Sequence, residues 1–242
     1  MREKLIALSI VKKGNWIEIH KFLQHDRNLS SIDNEQAIKL VEKLDCDVVT
    51  IFDNDYPSAW REMPKPPFVM FLKGNSKLLN GKLISIIGGK VRTNYTKREV
   101  KTLLKELPND VVVITGRENG VEELVDKKAK TKITCLASGF NGIEHDVNDL
   151  LISELPPLAR FDRSAYHRSY QLIAEIGQVI CIFELPKFDC RLPYLKYLTE
   201  IGKSAFVLPD WKYDVTVGGI ELLNLGAKAL ININDVLTEM EK

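Results

Sequence analysis

Long apolar runs are missing from this sequence of 242 residues. No segment reaches the roughly 18 apolar residues that a membrane-spanning helix needs, and the apolar stretch near residue 1 is too short for a secretory signal peptide. Cysteine is scarce as well, with four residues that lie far apart and form no CxxC pair. We therefore expect a cytoplasmic protein with reduced cysteines and no membrane association.

An excess of charge of either sign is also absent. The 34 lysines and arginines nearly balance the 33 aspartates and glutamates, which leaves a net charge of +1. The total charge therefore does not require a polyanionic partner, and a nucleic-acid role would depend on local clusters of basic residues. With 45% hydrophobic residues, the chain is long enough for one sizeable core and a small accessory unit.

The usual signatures of cofactor and catalytic sites are missing too. Neither a GxxxxGK(S/T) motif nor a spaced dinucleotide glycine pattern occurs, so neither P-loop ATP nor NAD binding is predicted. The four histidines show no metal-ligand spacing, and no serine or cysteine lies in a nucleophile elbow. His145 and Asp146 could suggest acid–base chemistry, but we interpret them as part of a structural loop. We predict no cofactor, no metal and no catalytic residue.

The most informative stretch runs from residue 83 to residue 120. An apolar run ends on Gly88 and Gly89, an amphipathic segment comes next, and a β-branched run, 111–115, closes on Gly116. This order predicts a strand, a glycine turn, a helix and a second strand. Because parallel strands need a crossover, both turns should fall at one edge of a parallel sheet, where phosphate can bind.

Three short helices are predicted in the first 46 residues. Apolar residues recur at spacings of three and four within Leu5–Val11, Trp16–Phe22 and Glu35–Leu44, and Ser31 or Asp33 can cap the third helix. So small a unit can bury little apolar surface by itself. We predict a helical module that packs on the domain C-terminal to it; the alternative is a contact with another protein or a nucleic acid.

The next segment, residues 47–75, predicts a strand, a turn and an edge strand. It contains a turn at Asp53–Pro57, three prolines between positions 64 and 67, and an apolar run, Phe68–Leu72. Composition alone predicts that this segment is a linker hairpin.

A series of short motifs continues in register through the rest of the chain. They are Tyr56-Pro57, Pro66-Pro67, Phe71-Leu72-Lys73-Gly74-Asn75, Ile86-Ile87-Gly88, Thr115-Gly116, Ser153-Glu154, Ile173-Ala174 and Gly226-Ala227. Through these motifs the chain resembles the DNA-processing protein A family, DprA or Smf, over about residues 45–240. The resemblance implies a Rossmann-like domain that binds single-stranded DNA and, in the best-known members, loads a RecA-type recombinase during natural transformation. It allows a homodimer as well.

Four tracts depart from the family pattern. Ser169-Tyr170-Gln171 replaces R-N-R, although Arg160, Arg163 and Arg168 lie just upstream. Gly88-Gly89-Lys90 stands where the family usually has G-(S/T)-R, and residues 115–122 stand where it has S-G-x-A-x-G-I-D. The tract Asp189–Tyr194 replaces S-G-S-L-I-T, and it puts an acid and a proline into a turn that is usually small and rich in donors. These changes leave the predicted fold intact but weaken the inference of family-level DNA affinity.

The segment that follows the first glycine turn contains basic, hydroxyl and aromatic side chains, and it ends with Lys97 and Arg98. Phosphates could meet N–H groups, point charges and a stacking ring there, and the resemblance places a DNA groove at the same position. The alternative is a solvated surface turn. The candidate nucleic-acid-binding or phosphate-binding residues are Gly88, Gly89, Lys90, Arg92, Thr93, Tyr95, Thr115, Gly116, Arg117, Asn119 and Gly120.

We predict an α/β fold with a doubly wound, mostly parallel Rossmann-like sheet in residues 47–242 and a small helical module in residues 1–46. The predicted function is a non-enzymatic single-stranded DNA-binding protein in DNA processing, uptake or recombination, including recombinase loading. One alternative is a diverged sensor that binds a nucleotide or another phosphorylated ligand in the same cleft. Another is an enzyme acting on nucleotides. Gly218-Gly219 is expected to precede a helix that ends near Gly226, but it lacks the rest of the PGGxGTxxE pattern of such enzymes.

Overall fold

The structure, a computed structural model, describes residues 1–25, 29–90, 93–209 and 217–241. The chain forms two compact units. Unit 1 consists of Met1–Asn80 and Leu136–Ser169, and unit 2 consists of Gly81–Cys135 and Tyr170–Lys242. The predicted module of residues 1–46 lies inside unit 1, and the predicted division into a module of residues 1–46 and a domain of residues 47–242 stays a prediction.

Helices and strands alternate through most of the described residues. The helices are α1 (Arg2–Val11), α2 (Trp16–His25), α3 (Asn34–Val41), α4 (Ser58–Glu62), α5 (Asn94–Glu106), α6 (Val121–Lys128), α7 (Arg163–Ile176), α8 (Leu192–Glu200), α9 (Val217–Asn224) and α10 (Ile233–Met240). The strands are β1 (Asp47–Thr50), β2 (Val69–Gly74), β3 (Lys82–Gly88), β4 (Val111–Thr115), β5 (Lys132–Cys135), β6 (Leu150–Ser153), β7 (Val179–Phe183), β8 (Ala205–Val207) and β9 (Lys228–Ala229). No helix among these is both long and apolar enough to cross a membrane.

The three helices predicted near residue 1 are present as α1, α2 and α3 in unit 1. Of the two proposed caps for α3, Asp33 is the one used, because its carboxylate accepts a hydrogen bond from the Gln36 N–H at 2.8 Å. The apolar face of α1 is buried in a cluster that also contains residues of β2 and β6. The apolar residues that recur at helical spacing in α1 therefore form part of the core of unit 1.

Unit 1 contains an antiparallel sheet in the order β1-β2-β6. The prediction that residues 68–72 form an edge strand is wrong, because β2 pairs with β1 on one side and with β6 on the other. Its four consecutive buried residues, Val69–Leu72, fit this central position, since a strand covered on both faces needs no alternation of apolar and polar residues.

Unit 2 contains a parallel sheet in the order β5-β4-β3-β7-β8-β9. The chain moves outward from β3 through β4 to β5, then continues on the other side of β3 with β7, β8 and β9. This reversal confirms the predicted doubly wound, Rossmann-like fold. The two strands predicted at 83–87 and 111–115 are β3 and β4.

Helix α5 shows how the sequence sets the core of unit 2. Its buried residues are Thr96, Val100, Leu103 and Leu104, spaced so that they share one face, and they pack with β3, β4 and β7. The remaining residues of this helix are largely charged and exposed. Since α5 starts after β3 and ends before β4, its first turn lies at the carboxyl edge of the sheet and its last turn at the opposite edge.

The glycine pair near residue 218 differs from its predicted position. Gly218 and Gly219 were expected to precede a helix, but both lie within α9 and are buried. An added Cβ would meet backbone carbonyls of residues 185–186 at Gly218 and the Val207 side chain at Gly219. The glycines therefore allow α9 to pack closely against its neighbours, a role that the short sequence pattern did not distinguish from a loop.

The burial of α1 leads to a test of the core of unit 1. We expect Ile6→Ala to lower the free energy of unfolding by about 2–5 kcal/mol, because Ile6 is 0% exposed and its removal leaves a cavity. Ile17→Ala, at a position that is 55% exposed, is the matched control and should change it by less than about 0.5 kcal/mol. Urea denaturation followed by circular dichroism measures both. Equal effects of the two substitutions would contradict the burial of α1 in the core of unit 1.

Candidate functional site

Three loops of unit 2 meet at the carboxyl edge of its parallel sheet. We name them the β3 loop (Gly88–Lys90), the β4 loop (Gly116–Gly120) and the β7 loop (Glu184–Arg191). They come after strands next to the point where the strand order reverses, and in open α/β sheets this switch point is where ligands bind. The prediction that the turns after β3 and β4 share one edge is confirmed.

Backbone contacts hold the β3 loop at the centre of this group. The Gly89 N–H donates to the Phe183 carbonyl at 3.0 Å, and the Gly89 carbonyl accepts from the Val121 N–H at 3.1 Å. An added Cβ at Gly89 would overlap the Glu184 carbonyl, and one at Gly120, where φ is +110°, would overlap the Gly89 carbonyl. These two glycines therefore let three backbones approach one another.

The first turn of α5 is capped by the protein itself. The Thr93 hydroxyl accepts from the Thr96 N–H at 3.1 Å, and the Thr93 N–H donates to the Glu184 carboxylate. Together with the Gly89 N–H, these are backbone donors that the sequence pattern assigned to a bound phosphate. Because the protein already uses these three N–H groups, they are not available to a bound phosphate.

A buried arginine of the β7 loop joins that loop to the β3 loop and to the start of α6. Arg191, only 5% exposed, donates through Nη1 to the Glu122 carboxylate at 2.8 Å and to the Gly88 carbonyl. Its Nε and Nη2 each donate to one Asp189 oxygen at 2.7 Å, and its guanidinium lies 4.8 Å from the Tyr170 ring centroid. This fork geometry is the strongest arrangement that an arginine makes with a carboxylate.

Burial and charge act in opposite directions on the two carboxyls that face Arg191. Burial raises the pKa of Glu122 to about 7, although the positive charge of Arg191 opposes the rise. Burial also acts to raise the pKa of Asp189, but hydrogen bonds and charge from Arg191, with a smaller contribution from Lys90, outweigh it and lower that pKa.

Glu184 is a second buried acid at this edge. Its backbone lies in the left-handed region at φ +45°, which is uncommon for a residue with a side chain. One carboxylate oxygen accepts from the Thr93 N–H, while Oε2 is buried and has no hydrogen-bond partner within the described parts of the chain. The interior beneath the glycine turn is therefore rich in carboxylate oxygens, and Arg191 is its buried cation.

The predicted cations and polar groups occupy the surface above this interior. Lys90, Arg117 and Asn119 are exposed, and Arg117 forms an ion pair with Asp126 at 3.5 Å. Tyr95 is half-buried against the core of unit 2, and the Arg98 guanidinium lies 5.5 Å from its ring centroid. The predicted stacking ring is thus already in contact with the protein on part of its surface.

Thr115 and Gly116, also predicted as site residues, are buried and have structural roles. Thr115 is buried and its hydroxyl donates to the Ile86 carbonyl at 2.9 Å. Gly116 is also buried, and an added Cβ there would overlap the Glu122 carboxylate. Arg92 lies outside the described residues. Of the predicted site, the structure therefore brings Lys90, the β4 loop and the start of α5 to one edge.

The sequence interpretation missed the buried network of Glu122, Asp189 and Arg191, and also the buried Glu184. The tract at 189–194 was interpreted as a poor phosphate turn, although an acid and an arginine in place of the two serines of S-G-S were the available signal. Its partner Glu122 is 69 positions away in the sequence, so local patterns could not pair the two residues. Among the described residues, no group of three His, Cys, Asp or Glu side chains could hold a metal ion.

Comparison with known proteins identifies the family. The model of the DNA recombination-mediator protein A family matches residues 47–241. This chain belongs to that family. The DNA processing protein DprA of Bacillus subtilis (strain 168) is 26% identical over 210 residues, which cover 79% of this chain and 70% of that protein. Protein Smf of Synechocystis is 23% identical over 257 residues, which cover 97% of this chain and 63% of that protein.

Solved DprA structures share the fold. The Streptococcus pneumoniae protein aligns with a TM-score of 0.77 at 19% identity, over 99% of this chain and 93% of that one. The Helicobacter pylori protein, described for its single-stranded DNA binding mode, aligns with a TM-score of 0.70 at 23% identity, over 81% of this chain and 97% of that one. The predicted resemblance and the Rossmann-like fold are both confirmed.

The buried arginine leads to a stability test. We expect Arg191→Leu to lower the free energy of unfolding by about 3–5 kcal/mol, because it leaves Glu122 and Asp189 without their cation. Arg98→Leu removes the same charge from a side chain that is exposed to solvent, and we expect a change below about 0.5 kcal/mol. Urea denaturation measures both variants. An Arg191 variant as stable as the parent would show that the loops do not depend on this network.

Proposed function

We propose that this chain binds single-stranded DNA at the carboxyl edge of the unit 2 sheet and acts in DNA processing, uptake or recombination. Family membership over residues 47–241 is the observation that carries the proposal. A related structure, that of the Helicobacter pylori protein, is described for binding single-stranded DNA, which supports the choice of ligand. The family match does not favour the alternative of a nucleotide sensor.

The charges at this edge support DNA contacts made by side chains. Lys90 and Arg117 lie on adjacent loops at the switch point, and Lys97 and Arg98 lie on the first two turns of α5. A strand laid across them would meet several positive charges, each of which can release a counterion from the DNA. Because only a few cations are available, we propose a short contact of a few phosphates with a moderate dependence on salt.

The proposal extends to partners and chemistry. A RecA-type recombinase is the protein partner that the family description, a recombination mediator, makes most relevant. We propose that the chain protects a strand or passes it to such a recombinase in the cytoplasm, that it can form a homodimer, and that it does not turn over nucleotides. The absence of a GTxxE pattern after Gly218-Gly219 supports this last point.

A salt titration of DNA binding tests the proposal directly. Fluorescence anisotropy with a labelled oligo-dT and with a duplex of equal length gives the binding constants from low to high salt. We expect the single strand to bind more tightly, because only its bases are free to stack on side-chain rings. We also expect log K to fall linearly with log salt, by about 0.7 to 1 for each phosphate contacted. No binding at low salt, or equal affinity for both forms, would overturn the proposal.

A charge series tests the position of the site. We expect Lys90→Ala to weaken binding of all sequences alike and to reduce the salt slope by about one, because it removes one phosphate contact. Adding Arg117→Ala should bring the loss to at least about tenfold. Lys105→Ala is the matched control, since it removes the same charge from the last turn of α5 at the opposite edge of the sheet.

These variants separate position from overall charge. If the Lys105 variant weakens binding as much as the Lys90 variant, the effect comes from net charge and the proposed site is wrong. If the Lys90 and Arg117 variants bind like the parent, the DNA contacts lie elsewhere on the chain. Thermal unfolding should be almost unchanged in all three, because exposed side chains contribute little to stability.

A further inference from the structure

The β7 loop carries a feature that the proposed phosphate contacts do not explain. Phe188 in this loop is 92% exposed, the largest fraction among the strongly exposed apolar side chains of the described residues. A single exposed apolar residue is common on protein surfaces. This one, however, lies in the loop between β7 and α8, at the switch point of the sheet.

The backbone on both sides of Phe188 is fixed. The Asp189 N–H donates to the Pro186 carbonyl at 3.2 Å, and the Gly218 N–H donates to the Leu185 carbonyl at 2.8 Å. The Asp189 side chain is held by the guanidinium fork of Arg191. The ring therefore projects from an anchored turn, and a ligand that stacks on it would order little additional backbone.

One lysine lies beside this ring, and a second is on the neighbouring β3 loop. The Lys187 ammonium is 5.8 Å from the Phe188 ring centroid, and Lys187 is exposed. Lys90 is exposed on the β3 loop, whose Gly88 carbonyl accepts a hydrogen bond from the Arg191 guanidinium of the β7 loop. An exposed ring with one ammonium group 5.8 Å away and a further exposed lysine on the neighbouring loop has the composition of a site that takes a base on the ring and phosphates on the cations.

The buried groups beneath the loops also favour a bound strand whose base faces Phe188 and whose phosphates face the lysines. Glu122, Glu184 and Asp189 supply carboxylates there, and the Arg191 guanidinium is already bonded to two of them and to the Gly88 carbonyl. A phosphate pushed toward this interior would meet negative charge and used donors. The phosphates of a bound strand are therefore better placed at the rim, where the lysines are, with a base turned toward Phe188.

We propose that Phe188 is the base-stacking residue of this DNA site and that Lys187 and Lys90 take the flanking phosphates. The inference rests on the proposed function, since it assigns how that site holds single-stranded DNA. It assigns the ligand as a nucleobase of any identity, because every base offers a face to a phenyl ring. It also explains why an aromatic side chain is exposed at this edge.

Oligonucleotides that lack bases but keep their phosphates provide the test. Binding of the full-length chain to oligo-dT and to an oligomer of the same length with several abasic sites is measured by competition anisotropy. The parent should prefer oligo-dT by about fivefold or more. Phe188→Ala should lose this preference and keep the parental salt slope. Lys187→Ala should keep the preference and reduce the slope by about one. Ile201→Ala, an exposed apolar position where α8 ends at the opposite edge, is the control and should behave like the parent.

Two further variants guard against misfolding. Phe188→Trp retains a stacking ring and should retain the preference for bases; its added fluorescence, obtained by difference from the parent, should be quenched by oligo-dT more than by the abasic oligomer. Phe188→Leu keeps an apolar side chain without a ring and should lose the preference.

The possible failures are distinguishable. If the parent binds DNA but Phe188→Ala keeps the full preference for oligo-dT, the stacking role is wrong and the proposed function stands. The same conclusion holds if Phe188→Leu binds like Phe188→Trp, because a ring is then not required. If the parent binds none of the oligonucleotides at low salt, both the function and the stacking role are wrong.

Discussion

The guanidinium of Arg191 is the contact on which the arrangement of the three loops depends. It reaches the β3 loop through the Gly88 carbonyl, the start of α6 through Glu122, and its own loop through Asp189. Because a buried cation is costly unless its donors are satisfied, its three partners must stay in place together. The loops at the switch point therefore form one connected structure.

The contacts between these loops also use N–H groups of the glycine turn after β3 that could otherwise bind a phosphate. In many Rossmann-like proteins, the backbone N–H groups of such a turn bind a phosphate. Here the Gly89 and Thr93 N–H groups are bonded to the Phe183 carbonyl and the Glu184 carboxylate. The close approach that the glycines permit serves loop packing, and the function we propose therefore assigns DNA recognition to exposed side chains such as Lys90. A site of this kind can change its preference by surface substitutions without altering the fold.

The sequence predicted most of the secondary structure, because the relevant signals are local. Apolar runs bounded by glycine located β3 and β4, and helical spacing located α1 to α3. Position within a sheet was less predictable: the run in β2 is apolar throughout, and only the pairing partners show that it is central and antiparallel. The exposed cations of the site were also found from sequence. The buried network was missed, because the pairing of Glu122 with Arg191 exists only once the fold has formed.

The network has a consequence for how this chain can diverge. Removing Arg191 alone leaves two carboxylates without their cation, and removing either acid alone leaves part of a buried guanidinium unpaired. Replacing all three side chains by small or apolar ones avoids both penalties, so the joint change is tolerated where each single step is not. We therefore expect positions 122, 189 and 191 to change together among descendants of this sequence. A fitness barrier then separates sequences that have Glu122, Asp189 and Arg191 from sequences that have small residues at all three positions.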